Sequence, residues 1–132
     1  MATKTTKTIS KKKRILQPVV SGNVYIQSSF NNTIVTVTDN VGAVIAWASA
    51  GSIGFKGSKK STPYAASLAA SASIEKAKLR GLRKAKIFIS GVGSGRDSAI
   101  RAFHNASIEV ETIKDMTPMP HNGCRRKKIR RV

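Results

Sequence analysis

The sequence predicts an α/β fold: a single mixed β-sheet flanked by helices, with basic extended tails at the N- and C-termini. Three observations predict it. Alternating and β-branched segments fill positions 23–49. Two helix-like stretches then alternate with short apolar strands. Half of the positive charge is packed into the two chain ends, where apolar residues are scarce.

Each element has its own signal. In residues 23–30, Val24, Ile26 and Phe30 face one way and Tyr25 and Gln27 the other, as in a half-buried strand. Asn31-Asn32 follows, and Asn tolerates the positive φ of a tight hairpin turn. Thr33 to Thr38 reads as a second strand. Asp39-Asn40-Val41-Gly42 is the next turn, and Ala43 to Ser49, with Val44, Ile45 and Trp47, is a third strand. A loop over 50–62 carries three glycines. Thr62 then caps a helix whose first residue is Pro63 and which runs to about Arg80, stopping at Gly81. Ala66, Ala70, Ile74 and Ala77 form one face, small enough for close approach to the sheet. Lys76, Arg80 and Arg83 share another face, which solvent explains as well as RNA does. Lys86 to Ser90 is a short strand and Gly91 to Gly95 a glycine-rich turn. Asp97 or Ser98 caps a second helix carrying Ala99, Ile100, Phe103 and Ala106. Ile108, Val110 and Thr112 alternate with Glu109, Glu111 and Ile113 in a last strand. The expected organisation is an arm over 1–18, a core over 19–117 and a tail over 118–132.

Composition narrows the function. The 132 residues suit one domain, and 40% of them are hydrophobic, enough for a core. With seven aromatics and three Met, that core relies on Val, Ile and Ala. A single Cys124 rules out an internal disulfide and, with two His, argues against a zinc site. No stretch is long and apolar enough to span a bilayer, and no basic amphipathic helix suits a membrane surface. Neither a cofactor nor a membrane partner is expected. The N-terminus is similar in composition to an organelle transit peptide, but a basic nucleic-acid-binding arm fits it better.

The net charge is +18, from 24 Lys and Arg against 6 Asp and Glu. Such a field draws in polyanions and repels other copies, so no homo-oligomer is expected. Lys4, Lys7, Lys11, Lys12, Lys13 and Arg14 lie at one end, and Arg125, Arg126, Lys127, Lys128, Arg130 and Arg131 at the other. Both ends read as arms that order on RNA, each cation displacing counterions from phosphate.

Two internal segments are further candidates. The loop before the first helix gathers Lys56, Lys59, Lys60, Ser61 and Thr62, the groups that hold RNA backbone. The turn with Gly93 and Gly95, beside Arg96 and Arg101, admits three readings: an RNA phosphate contact, a purely structural turn, or a nucleotide site. The third glycine comes one residue early for a dinucleotide fingerprint, and Asp115 is a weak match for a ribose-binding acid. Catalysis lacks parts. No nucleophile elbow is present, His104 reads as a packing or surface residue, and Glu109 with Glu111 reads as a solvated strand face. Asn122-Gly123 is a step prone to isoaspartate formation, because glycine leaves the attacking amide unhindered.

Four motifs carry a resemblance. They are Ser29-Phe-Asn-Asn-Thr-Ile-Val-Thr-Val-Thr-Asp39, Trp47-Ala-Ser-Ala-Gly51, the run from Gly54 to Ala66, and Asp115-Met-Thr-Pro-Met-Pro-His-Asn-Gly-Cys-Arg125. In order and spacing they resemble the universal ribosomal small-subunit protein eleven family, of bacterial or organellar type. The resemblance implies a ribonuclease-H-like topology without catalytic acids, hence no enzyme. It implies a place on the small-subunit platform, bridging helices of small-subunit ribosomal RNA and helping to form the messenger's Shine–Dalgarno cleft. Ribosomal proteins seven and eighteen would be neighbours, with messenger RNA and initiation factor three nearby. The setting would be the cytoplasm, in the ribosome, or an organellar ribosome. RNA-facing positions would include Asn31, Asn32, Lys56, Lys59, Lys60, Arg96, His121, Asn122 and Arg125. Three departures stand out: Val92 between Gly91 and Gly93 where the family often has Pro, Arg126-Lys127 where it often has Pro-Pro, and Asn105-Ala106-Ser107 where a Gly commonly ends the helix.

Overall fold

The computed structural model describes residues 16–132. The expected arm cations Lys11, Lys12, Lys13 and Arg14 therefore lie outside the described residues. Five strands form one sheet: β1 (Ser21–Ser28), β2 (Thr33–Asp39), β3 (Val44–Ser49), β4 (Lys84–Ser90) and β5 (Glu109–Asp115). Helix α1 (Pro63–Leu79) joins β3 to β4, and α2 (Arg96–Asn105) joins β4 to β5. The sheet order is β3-β2-β1-β4-β5. The first three strands are an antiparallel meander, and β4 and β5 run parallel to β1. This is the ribonuclease-H-like arrangement expected from the resemblance.

Both helices cover the same face. Val24, Ile26, Val35, Val37, Ala46, Ile87 and Ile89 point toward Ala70, Ile74, Ala77, Ala99 and Phe103, forming one core. α1 packs on β2 and β3, α2 lies beside α1, and the only fully buried aromatic of the described residues is Phe103. The buried stripe of α1 is wider than the four expected residues. Ala65, Ala69 and Ser73 are buried too, because α1 touches both the sheet and α2. Ser73 satisfies its hydroxyl within the helix, donating to the Ala70 carbonyl at 2.7 Å.

Local expectations needed five corrections. β1 starts and ends two residues early, so Phe30 falls in the hairpin loop at 75% exposure while Ser28 takes the buried position. The hairpin spans Ser29–Asn32, and neither Asn adopts positive φ. A wider loop needs no left-handed residue; the Ser29 hydroxyl instead accepts the Asn31 and Asn32 amides. α2 begins at Arg96, ahead of both expected caps, with Gly95 at the N-cap, because Gly95 is wedged against Ala66 and Thr33. Arg83 lies beyond α1, which ends at Leu79 and turns through Gly81 at φ +88°. A register shift opposite Ala85 and Lys86 swaps the faces of β5. It puts Thr112 beside Lys86 and Ile113 beside Ile87, on the helix-covered side of the sheet, where Ile113 at the edge stays 54% exposed.

Where the family commonly ends α2 with glycine, Ser107 adopts φ +62°. A Cβ crowds the following carbonyl in that conformation, at roughly 1–2 kcal/mol. Ser107→Gly should therefore raise stability by about 1 kcal/mol, net of glycine's greater unfolded-chain entropy. Denaturant unfolding reads this directly, and an unchanged midpoint would show that no left-handed strain is present.

Candidate nucleic-acid interface

The topology gathers the candidate residues. β1, β3, β4 and β5 end, and β2 begins, on one edge of the sheet. Both helices start there. Open α/β sheets bind ligands outside the carboxyl ends of their strands. Three loops meet at this edge: the Ser29–Asn32 hairpin, the 50–62 loop and the Gly91–Gly95 turn.

The glycines of the turn make the meeting close. A Cβ on Gly91 or Gly93 would collide with backbone atoms of Ser28 and Ser29, and one on Gly95 would lie 2.6 Å from both Ala66 Cβ and Thr33 Oγ1. Gly93 and Gly95 are buried, so they do not reach the surface where a phosphate would sit. Close packing accounts for glycine at all three positions. The Gly93 amide donates to the Ser28 carbonyl at 2.9 Å, and the Ser94 hydroxyl donates to the Ser61 carbonyl at 2.8 Å. These two bonds tie turn, hairpin and lysine loop together.

The 50–62 loop has internal order. Its second half is a short 3-10 helix over Gly57–Ser61. Ser61 donates to the Ser58 carbonyl at 3.0 Å, and Thr62 donates to the Lys59 carbonyl at 2.7 Å while capping α1 through the Ala65 amide. The expected hydroxyl ligands thus hold the loop, which leaves its lysines for a polyanion. Lys56 and Lys59 are exposed and Lys60 half-buried. Phe55 packs edge-on against Tyr64 with ring centroids 6.0 Å apart and steadies the loop base. This aromatic contact has no sequence signature, since nine residues separate the pair.

Arg96 is also partly engaged. It donates to the Gly91 carbonyl at 2.7 Å and forms a salt bridge with Asp115. Asp115, read at first as a weak ribose ligand, instead anchors the start of the tail. Its other carboxylate oxygen accepts the Thr117 hydroxyl at 2.6 Å and the Thr117 amide at 3.0 Å. Arg101 is exposed on α2, in a polar groove between the helices beside Ser67, Ser71 and Asn105, away from the loop edge. Asn31, His121, Asn122, Arg125, Arg126, Lys127, Lys128, Arg130 and Arg131 are exposed and Asn32 is half-buried. Asn122 has φ +57°. Lys76 and Arg80 are spoken for by the Trp47 and Gln17 carbonyls. Among the described residues, no group of His, Cys, Asp or Glu could hold a metal ion, and no helix is long and apolar enough to cross a membrane.

A cationic loop, a basic tail and a rigid glycine turn at one sheet edge define a nucleic-acid-binding scaffold. Comparison with known proteins makes this specific. Residues 22–131 match the model of the family described as Ribosomal protein S11. Two curated relatives, one from Treponema pallidum strain Nichols and one from another strain of Treponema pallidum subspecies pallidum, are each called small ribosomal subunit protein uS11. Each is 51% identical over 124 residues, covering 94% of this chain and 98% of the relative. The chain belongs to the ribosomal protein S11 family. It is a structural, ribosomal-RNA-binding protein of the small ribosomal subunit, serving translation alongside other ribosomal proteins.

The Asp115 anchor has a pH signature. The Thr117 hydroxyl, then the Thr117 amide and Arg96, hold the carboxylate well below its ordinary value of 3.8. A depressed folded value means the anchor is at full strength above the unfolded pKa and is lost as pH falls through the folded one. The Thr117 amide shift should therefore stay constant from neutral pH down past 3.8 and move only in stronger acid. An NMR titration with its midpoint at the ordinary value would show that the tail is not anchored this way.

Proposed function

We propose that the chain binds and bridges separate helices of small-subunit ribosomal RNA on the subunit platform, and so helps to form the cleft that holds the messenger's Shine–Dalgarno duplex. The observation that carries this is where the chain enters and leaves the folded core. The N-terminal segment joins the core at the far edge. There Val19 donates to the Arg80 carbonyl at 2.9 Å, and the Val20 carbonyl accepts the Arg83 and Lys84 amides at 2.8 and 3.0 Å. The C-terminal tail leaves from the loop edge, where the Met116 amide donates to the Ile89 carbonyl at 2.7 Å. Seven residues of strand, roughly 20 Å, separate the two exits. One rigid sheet between two cationic arms is suited to joining RNA elements that do not touch each other.

In this reading, 19–117 is the folded core, and the arms 1–18 and 118–132 thread between RNA helices. Lys11, Lys12, Lys13 and Arg14 serve one arm; His121, Asn122 and the six cations from Arg125 to Arg131 serve the other. Asn31, Asn32, Lys56, Lys59 and Lys60 meet RNA backbone at the loop edge, with Ser61, Thr62, Gly93, Gly95 and Arg96 shaping that edge. Arg101 adds a cation on the helical side. Ribosomal proteins seven and eighteen would be neighbours, with messenger RNA and initiation factor three passing close by. In a bacterium this places the chain in the cytoplasm.

With about ten phosphates contacted, log affinity for its ribosomal RNA should fall with log salt at a slope of about −7 to −9. Deleting 118–132 removes six cations, and the slope should lose roughly 4 to 5 of its magnitude. Filter binding across a salt series measures both values, and a nearly flat dependence would rule out phosphate neutralisation as the source of affinity. Attack of the Gly123 amide nitrogen on the Asn122 side-chain carbonyl would release ammonia and leave a succinimide, which water opens to isoaspartate or aspartate. Peptide mapping should find this form at Asn122, and only unmodified Asn122 would remove the idea.

A further inference from the structure

The helices leave one face of the sheet bare. Across its middle the strand register sets Trp47, Thr36, Tyr25, Phe88 and Lys114 in one row. Tyr25 and Phe88, paired on the two central strands, stack with ring centroids 5.3 Å apart and planes 18° from parallel. Both are half-buried, and no described element covers them. Beside them lies a recess of about 270 Å³ lined by Tyr25, Gln27, Phe88, Ser90, Met116 and Pro118. That is slightly under the ~300–1,000 Å³ of drug-sized ligand sites. It suits a single planar ring better than a whole nucleotide cofactor. Gln27 and Ser90 also line a second recess, with Phe30 and Val92, that continues toward the loop edge. The rim is cationic: Lys86 and Lys114 flank Phe88 and are exposed, and Glu109 faces Lys84 at 3.5 Å.

A bare apolar strip in water needs an occupant. Aromatic side chains on the central strands of an open sheet are the platform on which single-stranded RNA bases stack. Every base offers a π-face, and a lysine rim favours the attached phosphate. A protein partner would also accept the aromatics. The rim charge, and the basic tail that starts at the recess wall with Met116, favour a polyanion.

We propose that this open face is a second RNA contact, separate from the loop edge, in which an unpaired base stacks on Tyr25 and Phe88. Gln27 and Ser90 are placed to meet the base edge, and Lys86 and Lys114 the flanking phosphates. The proposal rests on the chain being bound to ribosomal RNA, and it adds a contact to unpaired bases that phosphate neutralisation does not supply.

The test uses the full chain and the double variant Tyr25→Leu/Phe88→Leu, which keeps apolar bulk and removes the π-faces. The probes are a twelve-nucleotide oligo(A) and an RNA duplex of equal length. Removing the stack should weaken oligo(A) binding roughly 5- to 100-fold. Duplex binding and the salt slope should be unchanged. Equal loss for both probes, or no loss for oligo(A), overturns the proposal. If the double variant unfolds, ultraviolet cross-linking of intact small subunits replaces it. Nucleotide adducts on the peptides containing Tyr25 or Phe88 support the stack. Protection of those peptides by a neighbouring protein, with no adduct, overturns it. A flat salt slope with oligo(A) discrimination intact would instead sink the phosphate-based reading and leave this one standing.

Discussion

The turn between β4 and α2 has no room for side chains, and the loops at its edge of the sheet take their positions from that fact. Gly91 and Gly93 sit directly on the backbone of Ser28 and Ser29, and Gly95 on Ala66 and Thr33. Because the turn is that close, its Ser94 reaches the Ser61 carbonyl and its Gly91 carbonyl receives Arg96. Arg96 then holds Asp115, and Asp115 holds Thr117 at the root of the tail. Hairpin, lysine loop and tail are thereby mutually placed before any RNA arrives. Preorganisation of this kind lowers the ordering entropy that binding would otherwise cost.

The second constraint is the small-residue core. α1 buries five alanines, a serine and an isoleucine between the sheet and α2. Such residues allow close approach, so two helices suffice to cover one face, and there is no further α-helix among the described residues to cover the other. A sheet with one bare face normally turns polar groups outward. Here Lys84, Lys86 and Lys114 obey that rule, while Tyr25, Phe88 and Trp47 do not. Trp47, 53% exposed, is partly shielded by Lys76, whose ammonium lies 6.0 Å from its ring centroid and donates to the Trp47 carbonyl. That contact also blunts β3, an edge strand.

Much of this was legible from residue pattern. Period-two alternation and β-branching located all five strands to within two residues, and Thr62-Pro63 located the start of α1 to the residue. Motifs spread along the chain identified the family, which the comparisons confirmed over residues 22–131. The misses have a common origin. Gly95 as N-cap, the bulge that pairs Ile113 with Ile87, and the wide Ser29–Asn32 hairpin all depend on which backbone lies next to which. The candidate site was only partly legible. The sequence marked Ser61, Thr62, Gly93, Gly95 and Arg96 by type, and the fold gives these residues internal work.

Local chemistry by itself therefore determined the class of fold, the extreme positive charge and its concentration at the ends, and the lysine loop before α1. Those properties live in single residues and short periods, and short-range physics reads them out. Only the tertiary structure decided that three loops share one sheet edge, that the arms depart from opposite edges, and that Tyr25 and Phe88 meet on an open face. Each of these joins residues far apart in the chain; Tyr25 and Phe88 pair only because β1 and β4 lie parallel and in register. Register is a long-range choice, made by burying Val24, Ile26, Ile87 and Ile89 together on the other face.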